Sequence, residues 1–315
     1  MIGVIFGGNS LEHDVSIASG KDILKEVGGR EFYLNESGVW FVDGEVSDDV
    51  VASLKECMVI FPIIHGSPGE DGTLQGFLEM NNIPYVGCDV VSSAVCMDKD
   101  FTKRILQTHN IPVTSFTTYY TLEQALKAEI KGPCVIKATS LGSSFGVHVV
   151  KDDPTEALKD VFALGKKAIV EEFVKGREFW CSVLEMDGQL IASSPGEICF
   201  KSEIFTYENK YKPGGTTYRI PPKDAPIEEI KELAKKAFRV LGCSGFARVD
   251  FFYTDDGSLL VNELNTLPGF TRNSLFLKSF AADGLSYKEV IEALIHRAKQ
   301  THATKDSFQA KMVEI

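Results

Sequence analysis

The segment Ala247-Arg248-Val249-Asp250-Phe251-Phe252-Tyr253-Thr254-Asp255-Asp256-Gly257-Ser258-Leu259-Leu260-Val261-Asn262-Glu263-Leu264-Asn265 reads as a β-hairpin. Two runs rich in β-branched and aromatic residues flank an Asp-Gly pair, the strongest short-range hairpin signal. With Asp256-Gly257 at the centre of a two-residue turn, Asp255 faces Ser258, Asp250 faces Glu263 and Arg248 faces Asn265. Side chains alternate along a strand, so the polar groups share one face and Val249, Phe251 and Leu264 share the other. Two carboxylates directly opposite each other repel. Two readings of the face stand side by side. A divalent cation can sit between the acids, and two carboxylates with a neutral amide suit Mg²⁺ shared with phosphates and water. Alternatively, the face is the solvated side of an ordinary hairpin.

At 315 residues the chain has room for two or three domains. Its 44% hydrophobic and 24% charged residues are ordinary for a soluble globular protein. The apolar runs fall far short of the roughly 20 residues of a membrane helix. Met1-Ile2-Gly3-Val4-Ile5-Phe6 lacks a basic leader and reads as a first strand rather than a signal peptide. A net charge of −11 with no Lys/Arg block argues against nucleic acid and anionic membranes as partners. Seven cysteines without a Cys-x-x-Cys fit buried thiols in a reducing cytoplasm.

Upstream of the hairpin, the first region to Cys88 alternates strand and helix: Met1–Phe6, a helix Val15–Val27 capped by Asp14, Met58–Ile64, a helix Thr73–Met80 and a short strand Pro84–Gly87. That order implies a parallel α/β sheet with ligands at the carboxyl ends of its strands. The loops Gly7–Asp14 and His65–Gly72 both follow strands, which turns Glu12 and His65 toward one crevice. Such glycines are also plain turn chemistry. No G-x-G-x-x-G is present, which argues against a dinucleotide.

The second region carries a helix Lys99–His109 capped by Asp98, a capping box Thr121-x-x-Gln124 opening a helix to Ile130, and a buried strand Cys134–Ala138 whose fourth residue is Lys137. The loop Thr139–Gly146 is rich in small residues and hydroxyls, so it can turn backbone N–H groups toward an anion. It is equally readable as a ligand-free hairpin loop. The strands Val147–Val150 and Ala168–Val174 follow. In the third region a hairpin turns at Asp187-Gly188, between Arg177–Met186 and Gln189–Cys199. The polar stretch Lys201–Gly215 then has little periodicity, and the helix Pro226–Phe238 ends at Gly242. A last helix spans Ser286–Lys299, with a loose polar tail after Thr301.

Six motifs in this order resemble the ATP-grasp superfamily, and within it the D-alanine–D-alanine ligase family, from Gly7 to about His296. They are Gly7-Gly8-Asn9-Ser10-x-Glu12; His65-Gly66 with Glu70–Gly76; Met97-Asp98-Lys99; Gly142-Ser143-Ser144-x-Gly146; Tyr207-Glu208-x-Lys210-Tyr211; and Arg248-x-Asp250 with Asn262–Gly269. The resemblance implies an α/β fold made of an N-terminal domain (1–88), a central ATP-grasp subdomain (89–174), a C-terminal catalytic subdomain (175–303) and a tail (304–315). It implies an enzyme that phosphorylates one D-alanine with ATP and couples it to a second D-alanine for the peptidoglycan precursor. Two Mg²⁺ (or Mn²⁺) ions, a cytoplasmic location and a homodimer come with that reading.

On matching positions, the resemblance makes Lys99, Lys137 and Ser144 phosphate contacts, Glu171 and Val174 backbone contacts to adenine, and Glu178 a ribose contact. Asp250, Glu263 and Asn265 become the metal ligands. Glu12 pairs with the ammonium of the first D-alanine, with Ser143 and Tyr211 orienting it and His65 lining the pocket. Arg248 and the Gly269 N–H face the oxyanion, and Ser274, Leu275 N–H and Lys210 hold the second carboxylate. Lys201–Gly215 becomes a lid. The chain departs from the family pattern at Ala138-Thr139-Ser140-Leu141 and Phe145. Lys210-Tyr211 favours D-alanine over D-lactate, while D-serine and a non-catalytic nucleotide-binding protein stay open as alternatives.

Overall fold

Strand β1 (Ile2–Gly7) is buried from its second residue of this run onward because it lies between two parallel neighbours, β2 (Arg30–Leu34) and β5 (Val59–Pro62). The computed structural model describes residues 1–143, 145–200 and 216–313, with Phe200 and 305–313 described by backbone alone. Ser144, Lys210, Tyr211 and the whole expected lid Lys201–Gly215 therefore lie outside the described residues.

The first sheet has the order β4-β3-β2-β1-β5, where β3 (Trp40–Val42) and β4 (Glu45–Val46) continue antiparallel from β2. The expected parallel sheet is thus a parallel core with an antiparallel edge. Helices α1 (His13–Val27), α2 (Val50–Lys55) and α3 (Thr73–Met80) accompany it. Two sequence expectations change here. Glu12, not Asp14, stands at the start of α1, because the helix begins two residues earlier, at His13. Pro84–Gly87 forms no strand and touches the sheet through one bridge, Ile60 with Tyr85.

Helices α4 (Val90–Met97) and α5 (Lys99–Thr108) meet at Asp98, whose extended backbone ends one helix and whose carboxylate accepts the Asp100 and Phe101 N–H groups of the next. An antiparallel sheet follows in the order β6 (Phe116–Tyr119), β9 (Ala168–Glu172), β7 (Cys134–Ala138), β8 (Val147–Val150). One face buries Cys134, Ile136, Ala138 and Ala168 against Ala157, Leu158 and Val161 of α7 (Thr155–Leu164). The opposite face therefore presents Lys137 and Glu171. Helix α6 (Leu122–Lys127) is shorter than expected; Thr121 caps it, but Gln124 reaches the Tyr120 N–H rather than that of Thr121.

The third unit is a six-stranded sheet, β13 (Thr216–Arg219), β12 (Gly196–Phe200), β10 (Gly176–Met186), β14 (Phe246–Thr254) and β15 (Leu259–Asn265), with β11 (Gln189–Ala192) on the end of β10. The expected strand 189–199 is split in two by Ser193–Pro195. At the break only glycine fits: a Cβ on Gly196 would meet the Trp180 ring at 2.0 Å. Helix α8 (Ile227–Val240) covers one face with Ile230, Ala234, Ala237 and Phe238. Helices α9 (Leu275–Ala282) and α10 (Tyr287–Val313) bury Phe276, Phe280, Val290 and Leu294 in a cluster shared with β1 and β5. Phe61 of β5 lies 5.2 Å from the ring of Phe270, which ties the first unit to the third. The helix expected to end at Lys299 runs on to Val313, so no loose tail starts at Thr301.

The central hairpin keeps two of its three expected pairs, for an unexpected reason. Its loop has three residues, Asp255-Asp256-Gly257, closed by the Thr254 N–H donating to the Ser258 carbonyl at 3.0 Å, with Gly257 at φ 86°. Asp255 therefore does not face Ser258. The extra loop residue shifts Phe251 onto Val261, and a bulge at Asn262 shifts it back, so that Asp250 again faces Glu263 and Arg248 faces Asn265. On the other side of β15, the Val261 N–H donates to the Pro112 carbonyl at 2.8 Å and Val113 bridges to Val261.

Candidate active site

Arg248 grips Asp250 on its own strand through two parallel bonds, Nε to Oδ1 and Nη2 to Oδ2, each 2.7 Å. Residues two apart on a strand share a face, so this pairing follows from the alternation alone. Asn265 donates its amide to Asp250 Oδ2 at 3.3 Å. Burial works against the Arg248 charge, but Asp250, and beyond it Glu263 and Glu70, outweigh it and raise its pKa.

Glu263 is met from the central unit. Lys99, the first residue of α5, lies 3.5 Å from Glu263 Oε2 and donates to the Leu141 carbonyl at 2.8 Å. The gap between these groups, lined also by Glu70, Gly142, Asn265 and Thr266, has a volume of ≈ 20 Å³, about one water. A larger cavity of ≈ 220 Å³ lies elsewhere, among Tyr85, Gly245 and Arg297, and holds none of the groups that the sequence singled out.

The loop after β7 reaches both sides of the site. Thr139 and Ser140 donate to Asp98 Oδ2 at 3.4 and 3.3 Å, so Ser140, one of the residues that depart from the family pattern, helps Thr139 to fasten the loop to the cap of α5. A Cβ on Gly142 would sit 3.5 Å from Glu12 Oε2, and one on Gly66 3.7 Å from the same oxygen. The Glu12 carboxylate thus lies between the loop at Gly66 and the loop at Gly142. His65 is enclosed: Nδ1 donates to the Leu267 carbonyl at 3.0 Å, and Nε2 lies 3.3 Å from the Ser19 hydroxyl. Its ring ties the first unit to the segment before Gly269 rather than facing an open pocket.

At the other end, Trp180 Nε1 donates to the Leu275 carbonyl at 3.1 Å and fixes the start of α9. Ser274, at the N-cap of that helix, has a buried Oγ with no hydrogen-bond partner among the described residues. Gly269 lies beside it, since a Cβ there would be 3.8 Å from Ser274 Cβ. The exposed N–H groups of a helix start suit an anion.

Lys137 and Glu171 are diagonal neighbours on β7 and β9, 2.8 Å apart. Glu171 is buried, not a surface acid; burial raises its pKa, but Lys137 and Lys103 overcome that and hold it below the carboxylate range. Val174 lies in the link between β9 and β10. Glu178 pairs with Phe252 in the β10–β14 register, which sets it on the face of Asp250 and Arg248.

Two residues near these groups had no role in the sequence reading. Glu70, only 13% exposed and 3.6 Å from His65 Nδ1, has its pKa raised by burial, against the lowering pull of His65. The charge of Glu12 adds to the rise. Lys103 is wholly buried beside Glu171. The i, i+4 spacing of Lys99 and Lys103 was the available signal for the second of them.

Two α+β units that bring lysines and acids together across a cleft, with an α/β unit closing its end, define an ATP-grasp ligase. Residues 105–296 match the family described as D-ala D-ala ligase C-terminus, and residues 37–88 its N-terminus. The chain belongs to the D-alanine–D-alanine ligase family. It is 38% identical to the D-alanine–D-alanine ligase of Oceanobacillus iheyensis, over 94% of each chain. The structure of the Coxiella burnetii D-alanine–D-alanine ligase superposes with a TM-score of 0.83 at 32% identity, covering 99% of this chain and 98% of that one. The VanG D-Ala:D-Ser ligase of Enterococcus faecalis gives 0.82 at 31%, covering 94% and 98%. The Bacillus anthracis D-alanine–D-alanine ligase complexed with ATP gives 0.77 at 27%, covering 96% and 99%. No helix among the described residues is long and apolar enough to cross a membrane.

Proposed function

We infer that the chain is an ATP-dependent ligase that joins two D-alanines into D-alanyl-D-alanine for the peptidoglycan precursor. The observation that carries this reading is the Leu141–Ser143 loop: its Leu141 carbonyl holds Lys99 beside Glu263, and its Gly142 lies against Glu12. One loop borders a phosphate-neutralising lysine on one side and an ammonium-pairing carboxylate on the other. A γ-phosphoryl group and an amino-acid carboxylate would meet beneath it.

The residues then divide the work. Lys99 and Lys137 neutralise the polyphosphate, while Glu178 and the backbone at Glu171 and Val174 hold the nucleoside. Phosphoryl transfer to the carboxylate of the first D-alanine, with ADP as leaving group, is chiefly positioning and charge neutralisation. Asp250 of β14 and Glu263 and Asn265 of β15 carry hard oxygen donors on neighbouring strands, a set that fits Mg²⁺. Among the described residues no group of three or more His, Cys, Asp or Glu side chains is gathered for a metal. When bound, Mg²⁺ would draw charge from the transferring oxygens.

Glu12, oriented with Ser143 and Tyr211, pairs with the first ammonium. The second amine attacks the acylphosphate, and Arg248 with the Gly269 N–H stabilises the oxyanion before phosphate leaves. The Ser274 hydroxyl, without a hydrogen-bond partner among the described residues, receives the second carboxylate together with the Leu275 N–H and Lys210. Incubation with ATP, Mg²⁺ and D-alanine should yield phosphate and the dipeptide mass; no phosphate with any D-amino acid rejects the reading. A D-serine acceptor is a second reading, motivated by the VanG likeness. Product mass from mixed D-alanine, D-serine and D-lactate separates the three acceptors. We assign the enzyme to the cytoplasm as a homodimer, the latter measurable by sedimentation velocity.

A further inference from the structure

Lys103 stands one helical turn beyond Lys99 on α5 and is 0% exposed. Its Nζ lies 3.2 Å from Glu171 Oε1, donates to Thr114 Oγ1 at 3.4 Å, and lies 6.0 Å from the centre of the Phe116 ring. The other Glu171 oxygen, Oε2, is 2.8 Å from Lys137 Nζ. One enclosed carboxylate is thus shared by two ammonium groups, and the cluster of three keeps a net charge of +1.

A buried ammonium is costly, and Lys137 alone would have neutralised Glu171. The second lysine therefore calls for a reason beyond pairing. With Glu171 divided between two cations, Lys137 is not cancelled by a full counter-charge 2.8 Å away. Take Lys103 away and the pair at β7–β9 becomes electrically neutral. It would then hold no attraction for a polyanion beyond that of its dipole. Burial lowers the Lys103 pKa, and the attraction of Glu171 offsets that only in part, with Lys137 adding to the fall.

We propose that Lys103 is a positioning residue for nucleotide binding: it occupies Glu171 Oε1 so that Lys137 is presented to the phosphates of ATP with its charge uncompensated. This rests on the reading of the chain as an ATP-dependent ligase.

The test is nucleotide affinity, by titration calorimetry with ADP and a non-hydrolysable ATP analogue, on the full-length enzyme. K103M should weaken binding about tenfold or more, the effect of one charge a few ångströms off in a partly shielded interior. The KM for D-alanine should move less than about twofold, a split that general loosening of the fold would not give. Adding E171Q to K103M should recover at least half of the lost affinity on a logarithmic scale, because the counter-charge goes with it. K103R should stay close to the wild type. If K103M does not fold, K103Q, which keeps a polar side chain and loses the charge, should show the same tenfold loss. The proposal is overturned if K103M or K103Q binds nucleotide like the wild type, or if E171Q and K103M losses simply add. A wild type that releases no phosphate with any D-amino acid would sink the functional reading itself. Normal wild-type turnover with unchanged K103M affinity would sink this proposal alone.

Discussion

Arg248 and Asp250, two residues apart on β14, hold each other through two bonds of 2.7 Å, while Asp250 faces Glu263 across the strand pair. The guanidinium therefore serves one of the two opposed acids and is aimed into the cleft by it. R248A removes an oxyanion donor and leaves Asp250 beside Glu263 without its cation. We expect kcat/KM to fall by about 10²-fold or more, with R248K recovering little because it lacks the two-pronged geometry. Steady-state phosphate release measures it, and unchanged turnover in R248A would take Arg248 out of the catalytic step.

Glu263 gives a different separation. E263Q keeps the shape and removes the charge that meets Lys99 at 3.5 Å. The expected result is a loss of Mg²⁺-dependent turnover of about 10²-fold, with a melting temperature within a few degrees of the wild type. Equal damage to folding and turnover would make Glu263 a structural residue.

Glu70 predicts a pH dependence. Its pKa is raised above the ordinary 4.5, by burial first, with His65 pulling the other way and Glu12 adding to the rise. An acid whose folded pKa exceeds its unfolded one stabilises the fold only while protonated. The charge begins to cost stability as pH rises through the unfolded carboxylate pKa, and the cost is complete above the raised value. E70Q should therefore melt above the wild type at about pH 7.5, and the gap should close near pH 4, where both side chains are neutral. A gap that widens on acidification would contradict the sign.

Gly196 connects packing to the acceptor site. G196A drives a methyl group into the Trp180 ring, whose Nε1 fixes Leu275 at the start of α9. A stability loss of about 1–3 kcal/mol is expected, as for other overpacked cores. The KM for the second amino acid should rise while that for ATP stays near the wild type, which a two-substrate kinetic matrix would show.

The hairpin pairs could be read from alternation and the Asp-Gly signal, yet the loop length could not. A three-residue loop and the bulge at Asn262 each shift the register by one, and their effects cancel at Asp250 and Glu263. The sequence carries no mark of either shift, since bulges answer to tertiary packing. Helix starts were legible where a side chain caps them, as at Asp98 and Thr121, and less so at Glu12, which makes no capping bond. The residues around the cleft were legible through their motifs. Lys103 was not, because a lysine on an amphipathic helix reads as a solvated residue until a partner strand is known to bury it.

The bond from the Val261 N–H to the Pro112 carbonyl lies two residues from Glu263, at the root of the nucleotide-side sheet. A swing of that sheet that keeps this bond turns about a hinge pin set almost at the chemistry. Points near the pin travel little, so Lys99 would stay within reach of Glu263 while the rim at β8 sweeps the widest arc. Such a door would open at its outer edge and leave Lys99 and Glu263 nearly in register.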